Sequence, residues 1–274
     1  MAEHTLIIKP TKGWASLNLK DLWHFRELLY FLTWRDIKVR YKQTAIGAGW
    51  AILQPFLTMI VFTIFFGKVA KISSEGVPYP IFSYSGLLLW TYFSSSVSNS
   101  GNSVVANTNL ITKVYFPRTV IPISSSLAGL VDYFIAATIL LIMMLYYGFI
   151  PKPTFLLLPF LLILAFISAT GFGLWLSALN VKYRDVRYII PFFIQLLLFT
   201  TPVIYPISMV PEKFRWVLFL NPISGLIDAH RVLILDHKSI DWLSLGISIA
   251  MGLLIFITGF LYFRRTERFF ADVI

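Results

Sequence analysis

Between residues 46 and 66 the chain carries no charged side chain. Five further stretches, 81–105, 120–147, 155–179, 188–205 and 242–263, repeat the pattern with one exception, Asp132. An apolar run of about 20 residues is long enough to cross a bilayer core of ~30 Å as a helix. Within hydrocarbon every backbone N–H and C=O must be satisfied inside the segment, so such runs fold as helices. Composition agrees. Of 274 residues 57% are apolar and 13% charged, against roughly 25% charged in a soluble domain. A soluble core of this length has no room for 25 Phe, 13 Tyr and 8 Trp, whereas lipid accepts them. The expected fold is all-α: a polytopic membrane protein with six transmembrane helices over residues 46–274, preceded by a cytoplasmic arm over residues 1–45.

Six spans put both ends on one side. Of the 23 Lys and Arg, sixteen fall on the side of the arm, the second-to-third and fourth-to-fifth connections and the tail, and seven on the other. Excess Lys and Arg mark the cytoplasmic face, so both termini are expected inside. The net charge of +10 is thereby assigned to a membrane surface, and nucleic acid is not an expected partner. The first twenty residues hold only the short run Leu6-Ile7-Ile8, with no apolar core of signal-peptide length.

Arg35, Asp36, Lys38, Arg40 and Lys42 crowd the approach to the first span. Upstream, Leu22, Phe25, Leu29 and Leu32 recur near helical spacing, with Lys20, Asp21, His24 and Glu27 on the other side. The pattern predicts a short amphipathic helix lying in the interface. At the opposite end, 206–240 holds two apolar runs too short to span, joined at Asn221-Pro222. Pro disfavours helix at the residue before it, so a re-entrant outer helical pair is expected between spans five and six. Its backbone is satisfied only if it is buried against protein.

Asp132 is the one acidic residue inside an expected span, and a carboxylate there must face protein or water. A structural acid held by hydrogen bonds near Tyr133 and Ser124–Ser126 is favoured over a proton-coupling site, and Asp132→Asn is expected to keep most function. Span two ends in SSSVSNSGNS, residues 94–103. These side chains either pack helices closely or line a polar cavity, and the sequence leaves both open. Chemistry of other kinds has no visible basis: there is no phosphate-binding Gly-rich loop and no His-Glu-x-x-His. The absence of cysteine excludes disulfides and thiolate sites.

Four motifs taken together carry a resemblance. WRDIKVRYKQTAIGAGWAILQP before and into span one, LITKVYFPR after span two, GLWLSALNVKYRDVRYIIPF across the fourth-to-fifth turn, and TPVIYPISMVPEKFRWVLFLNP at the outer end closely resemble ABC-2-type polysaccharide export permeases. Those are the membrane subunits of O-antigen, capsule and teichoic-acid exporters. The resemblance covers the chain from about residue 20, with the motifs in family order.

It implies a non-enzymatic transport subunit in the bacterial cytoplasmic (inner) membrane, working as a homodimer. It also implies two copies of a separate ATPase that binds the ATP and Mg, and an undecaprenyl-type lipid-linked polysaccharide as cargo. No cofactor is expected on this chain. By the same resemblance, Arg35, Lys38, Arg40 and Lys42 border the place where the lipid-pyrophosphate end comes in. Lys113, Val114, Tyr115, Phe116 and Arg118 couple to the ATPase. Trp50, Phe62 and Phe66, facing Phe193 and Phe199 of the other protomer, line the conduit. Tyr205, Glu212, Arg215 and Trp216 form an outer gate. The nearest rival is an ABC-2 exporter of a small lipid, drug or antibiotic. A membrane glycosyltransferase would need cation-binding or acid–base groups that the chain lacks, and a proton-coupled flippase would need Asp132 to be essential.

Overall fold

The computed structural model describes residues 23–42 and 47–270, and all its regular elements are helical. In chain order these are α1 (Arg26–Lys42), α2 (Gly49–Phe62), α3 (Tyr79–Ala106), α4 (Thr108–Lys113), α5 (Val120–Tyr147), α6 (Leu158–Lys182), α7 (Val186–Thr200), α8 (Glu212–Phe219), α9 (Ser224–Leu235) and α10 (Trp242–Thr266). A π-helical turn, Thr63–Val69, extends α2, and short 3₁₀ turns sit at Pro153–Leu157, Ile207–Met209 and Glu267–Phe269. Pro78 and Pro80 start α3, where a missing N–H costs nothing. Asp241 caps α10 by accepting from the backbone N–H of Leu243 and Ser244 at 3.1 and 3.3 Å.

Four helical stretches are long and apolar enough to cross a membrane: Gly49–Val69, Val120–Tyr147, Pro153–Lys182 and Trp242–Phe269. The pair Glu212–Phe219 and Pro222–Leu235, bent by 104°, makes a fifth candidate. The two remaining expected spans differ for separate reasons. Helix α3 has 28 residues, about 42 Å of rise, but its hydroxyl and amide side chains lower its hydropathy. It tolerates them because it is the central helix, packed by α2, α5, α6, α7 and α9, so most of its surface meets protein rather than lipid. Helix α7 has 15 residues, about 22 Å. It stops at Thr200, where Thr201 turns extended ahead of Pro202.

Helices α6 and α10 form the other main contact. A Cβ at Gly259 would collide with the Gly171 carbonyl and Trp175, so glycine is what lets the two backbones meet. Trp175 then stacks on Tyr262, with ring centroids 4.3 Å apart, and donates Nε1–H to Thr258 at 3.2 Å.

The outer pair follows the expected break, and all twelve residues of α9 are buried. Arg231 falls in the 206–240 segment, among the seven basic residues counted on the outer side, yet it is fully buried. Its guanidinium donates to the carbonyls of Phe82, Pro202 and Val203 at 3.1, 3.2 and 3.1 Å. It also lies 3.8 Å over the Phe82 ring.

Helix α1 packs one face against the rest of the fold. Phe25, Leu29 and Leu32 pack into a core that includes Val120, Ile121 and Phe263. Trp23, Tyr30, Phe31 and Trp34 stay exposed, as aromatics at a headgroup layer do. The rest of the expected stripe, Leu22, Lys20 and Asp21, lies outside the described residues.

Candidate functional site: a cavity beside an ion pair

Helix α1 climbs α5 in register. Leu32 meets the Val120–Ile121 turn, Asp36 accepts from the Ser125 hydroxyl at 3.3 Å, and Arg40 pairs with Asp132. The Tyr41 hydroxyl donates to the second Asp132 oxygen. Asp132 therefore takes its partners from the arm, not from Tyr133 or the serines beside it. Tyr133 turns away and bonds to His230 at 2.8 Å.

Beside this ion pair lies a cavity of about 300 Å³ between α2, α3 and α5. Arg40, Tyr41 and Asp132 contribute to its lining with Trp50, Gln54, Thr91, Ser95 and Asn99, and Ala51, Pro55, Leu88 and Ala136 add apolar surface. The two readings of the span-two serines are both realised, on different faces. Ser96, Ser100 and Ser103 are buried in helix contacts, with Ser100 donating to the Pro122 carbonyl at 3.0 Å. Thr91, Ser95 and Asn99 face the cavity.

The expected basic cluster is mostly engaged within the chain. Arg35 pairs with Asp36 at 2.8 Å, Lys38 lies 5.3 Å over the Trp34 ring, Arg40 is held by Asp132, and Lys42 is exposed. Of the expected conduit residues only Trp50 lines the cavity. Phe62 and Phe66 are half-buried and meet edge to face at 5.4 Å. Phe193 rests on Phe172 at 5.7 Å, while Phe199 is exposed at the end of α7. Helices α2 and α7 both keep broad exposed apolar faces.

The expected coupling segment divides. Helix α4 forms, and Val114 and Tyr115 beyond it are exposed, but Phe116 is only 5% exposed and belongs to the core with Leu32 and Val120. Arg118 reaches the Glu267 carbonyl and the Phe270 ring, so it too is engaged inside the fold. Phe116→Ala is accordingly expected to destabilise the protein by about 3–5 kcal/mol and to lower its abundance in the membrane. Tyr115→Ala should leave abundance unchanged, and quantitative blotting of the two variants separates the roles.

At the outer end Tyr205 donates to the Phe199 carbonyl at 3.2 Å, and Arg215 donates to Val210 at 2.9 Å. Glu212 and Trp216 are exposed. A cluster that the sequence did not reveal joins three outer segments beside them. Glu75 accepts from Ser208 at 2.7 Å, forms an ion pair with Lys238 at 3.1 Å and meets His237 at 2.9 Å. Lys238 also pairs with Asp228 at 2.9 Å.

The hydrogen bond with His237 lowers the Glu75 pKa most. Burial opposes it, Ser208 and Lys238 add to the lowering, and the result is about 2. A carboxylate depressed in the folded state stabilises fully above its ordinary pKa and loses that contribution as pH falls toward the depressed value. Thermal stability is therefore expected to decline between about pH 4.5 and pH 2. The loss from this group should be about 1–2 kcal/mol after solvent screening. Melting curves of Glu75→Gln should lack that component, and an unchanged acid profile would count against it.

Several membrane-length helices, packed around a central helix rich in hydroxyl side chains, define a multi-pass membrane protein. The ABC-2 type transporter family matches residues 27–235, and the chain belongs to that family. It is 30% identical to the O-antigen export system permease protein RfbA of Klebsiella pneumoniae, over 94% of this chain and all of that one. To the protein of the same name in Myxococcus xanthus it is 30% identical, over 81% of this chain and 86% of the other. To the polysialic acid transport protein KpsM of Escherichia coli it is 23% identical, over 85% and 91%.

Proposed function

We propose that this chain is the transmembrane subunit of an ATP-driven exporter that moves a lipid-linked polysaccharide across the bacterial cytoplasmic membrane. The observation that carries the reading is full-length similarity to the O-antigen permease of Klebsiella pneumoniae, within a family match over most of the chain. In this reading two copies assemble with two copies of a separate ATPase, which binds the ATP and Mg. The chain itself needs no cofactor and performs no catalysis. Six crossings, counting the polar α3 and the short α7, put both termini and the turn at 183–185 in the cytoplasm.

The exposed aromatic faces of α2 and α7 support a homodimeric conduit. They are too apolar to favour water, and a sugar polymer needs walls that hold it weakly at many points. The exposed Val114 and Tyr115 support a short cytoplasmic docking segment for the ATPase.

One experiment tests the reading. Depleting the permease should leave lipid-linked polysaccharide on the cytoplasmic side, and restoring the chain with its ATPase should return it to the cell surface. A surface polysaccharide that is unchanged by depletion, with a small lipid or drug accumulating instead, sinks the cargo assignment. In the same cells Tyr183→Cys should stay unlabelled by an impermeant reagent, since the chain has no cysteine of its own. Labelling there would reverse the topology.

A further inference from the structure

We infer that the cavity between α2, α3 and α5 is a glycan-binding groove within one protomer, in which Thr91, Ser95 and Asn99 form a ladder of neutral hydrogen-bonding groups along α3. The inference rests on the polysaccharide reading and adds a place and a set of contacts to it, beside the aromatic conduit between protomers.

The spacing is the first argument. Residues four apart lie on the same helix face, about 6 Å apart along the axis. Thr91, Ser95 and Asn99 therefore offer three polar positions along roughly 12 Å of one wall, and all three line the cavity. From the opposite wall α2 contributes Gln54 and the half-exposed indole of Trp50. Neither side-chain amide, Gln54 or Asn99, bonds to another described residue. A sugar ring needs this combination: hydroxyls matched by neutral donors and acceptors, and a C–H face resting on an aromatic plane.

Charge is a second argument. Among the described residues of the lining, the ionic groups are Arg40 and Asp132, which pair with each other, so the walls carry no net charge. A volume of about 300 Å³ is at the lower end for small-ligand sites, room for a short stretch of a polymer rather than its length.

The test uses the assembled permease and ATPase in membrane vesicles supplied with radiolabelled lipid-linked polysaccharide. A photoreactive group attached through Asn99→Cys should crosslink to the glycan. The same group attached through Leu141→Cys, on an exposed apolar face, should crosslink to acyl chains. Gln54→Ala with Asn99→Ala should slow export about fivefold or more by removing two neutral hydrogen-bonding groups, while Asn99→Gln keeps most of the rate. Correct folding of each variant is checked by its retained assembly with the ATPase.

Crosslinking of position 99 to acyl chains alone, or a wild-type rate in the double alanine variant, overturns the groove while leaving the polysaccharide reading intact. Vesicles in which the wild-type complex itself moves no glycan overturn both.

Discussion

Arg231→Leu is expected to cost about 3–5 kcal/mol of stability, since three carbonyls lose a charged donor at about 1–3 kcal/mol each before relaxation. The purified protein should melt many degrees lower or fail to accumulate. Helix α7 ends at Thr200, which leaves the carbonyls of Pro202 and Val203 without a following turn to accept from. One planar guanidinium satisfies both and adds the carbonyl of Phe82, joining three segments. Arg231→Lys should recover only part of the loss, because an ammonium group cannot reproduce the fixed fork of a guanidinium.

Gly86 supplies an independent check. A Cβ at that position would collide with the Arg231 guanidinium, so Gly86→Ala should destabilise the same contact. Its effect should be less than additive with Arg231→Leu. A variant without Arg231 that melts with the wild type would show that the outer helical pair is held by apolar packing alone.

The second large effect concerns Asp132. Read from sequence, Asp132→Asn was expected to keep most export, the amide retaining local hydrogen bonds. The structure argues for a larger effect, because the partners are Arg40 and the Tyr41 hydroxyl on the arm. Neutralising one member leaves a guanidinium partly buried without its counter-charge, at a cost of about 1.5–3 kcal/mol for a charged hydrogen bond. It also removes one of the contacts between α1 and α5 beside the cavity. Asp132→Asn should therefore lower both stability and export, whereas Arg40→Gln combined with Asp132→Asn should recover most of each, both charges having gone together. Thermal melts and export rates of the two single variants and the double give the coupling directly. A double variant that folds normally and exports nothing would revive a proton-carrying role for Asp132.

Sequence alone determined whatever depends on comparing a local run of residues with a fixed length or a fixed backbone rule. Apolar runs of twenty or more residues located α2, α5, α6 and α10, because bilayer thickness is the same wherever the run occurs. Asn221-Pro222 located the break in the outer pair, because proline restricts its neighbour regardless of context. The apolar stripe of α1 was legible too, but not what it covers. Tertiary structure decided the partners.

Arg40 and Asp132 lie 92 positions apart, and Arg231 reaches back 149 to Phe82. No local pattern distinguishes an arginine that satisfies carbonyls from one that sits in a loop. Tyr115 and Phe116 are adjacent aromatics, yet one faces out and the other lies in the core, since the chain's exit angle from α4 sets which side meets Leu32 and Val120. The serines of α3 show the same limit. Their number was plain in the sequence, but which of them line a cavity and which seal a helix contact depends on the neighbours that surround α3. Those neighbours come from five other helices, and only their packing assigns each face of α3.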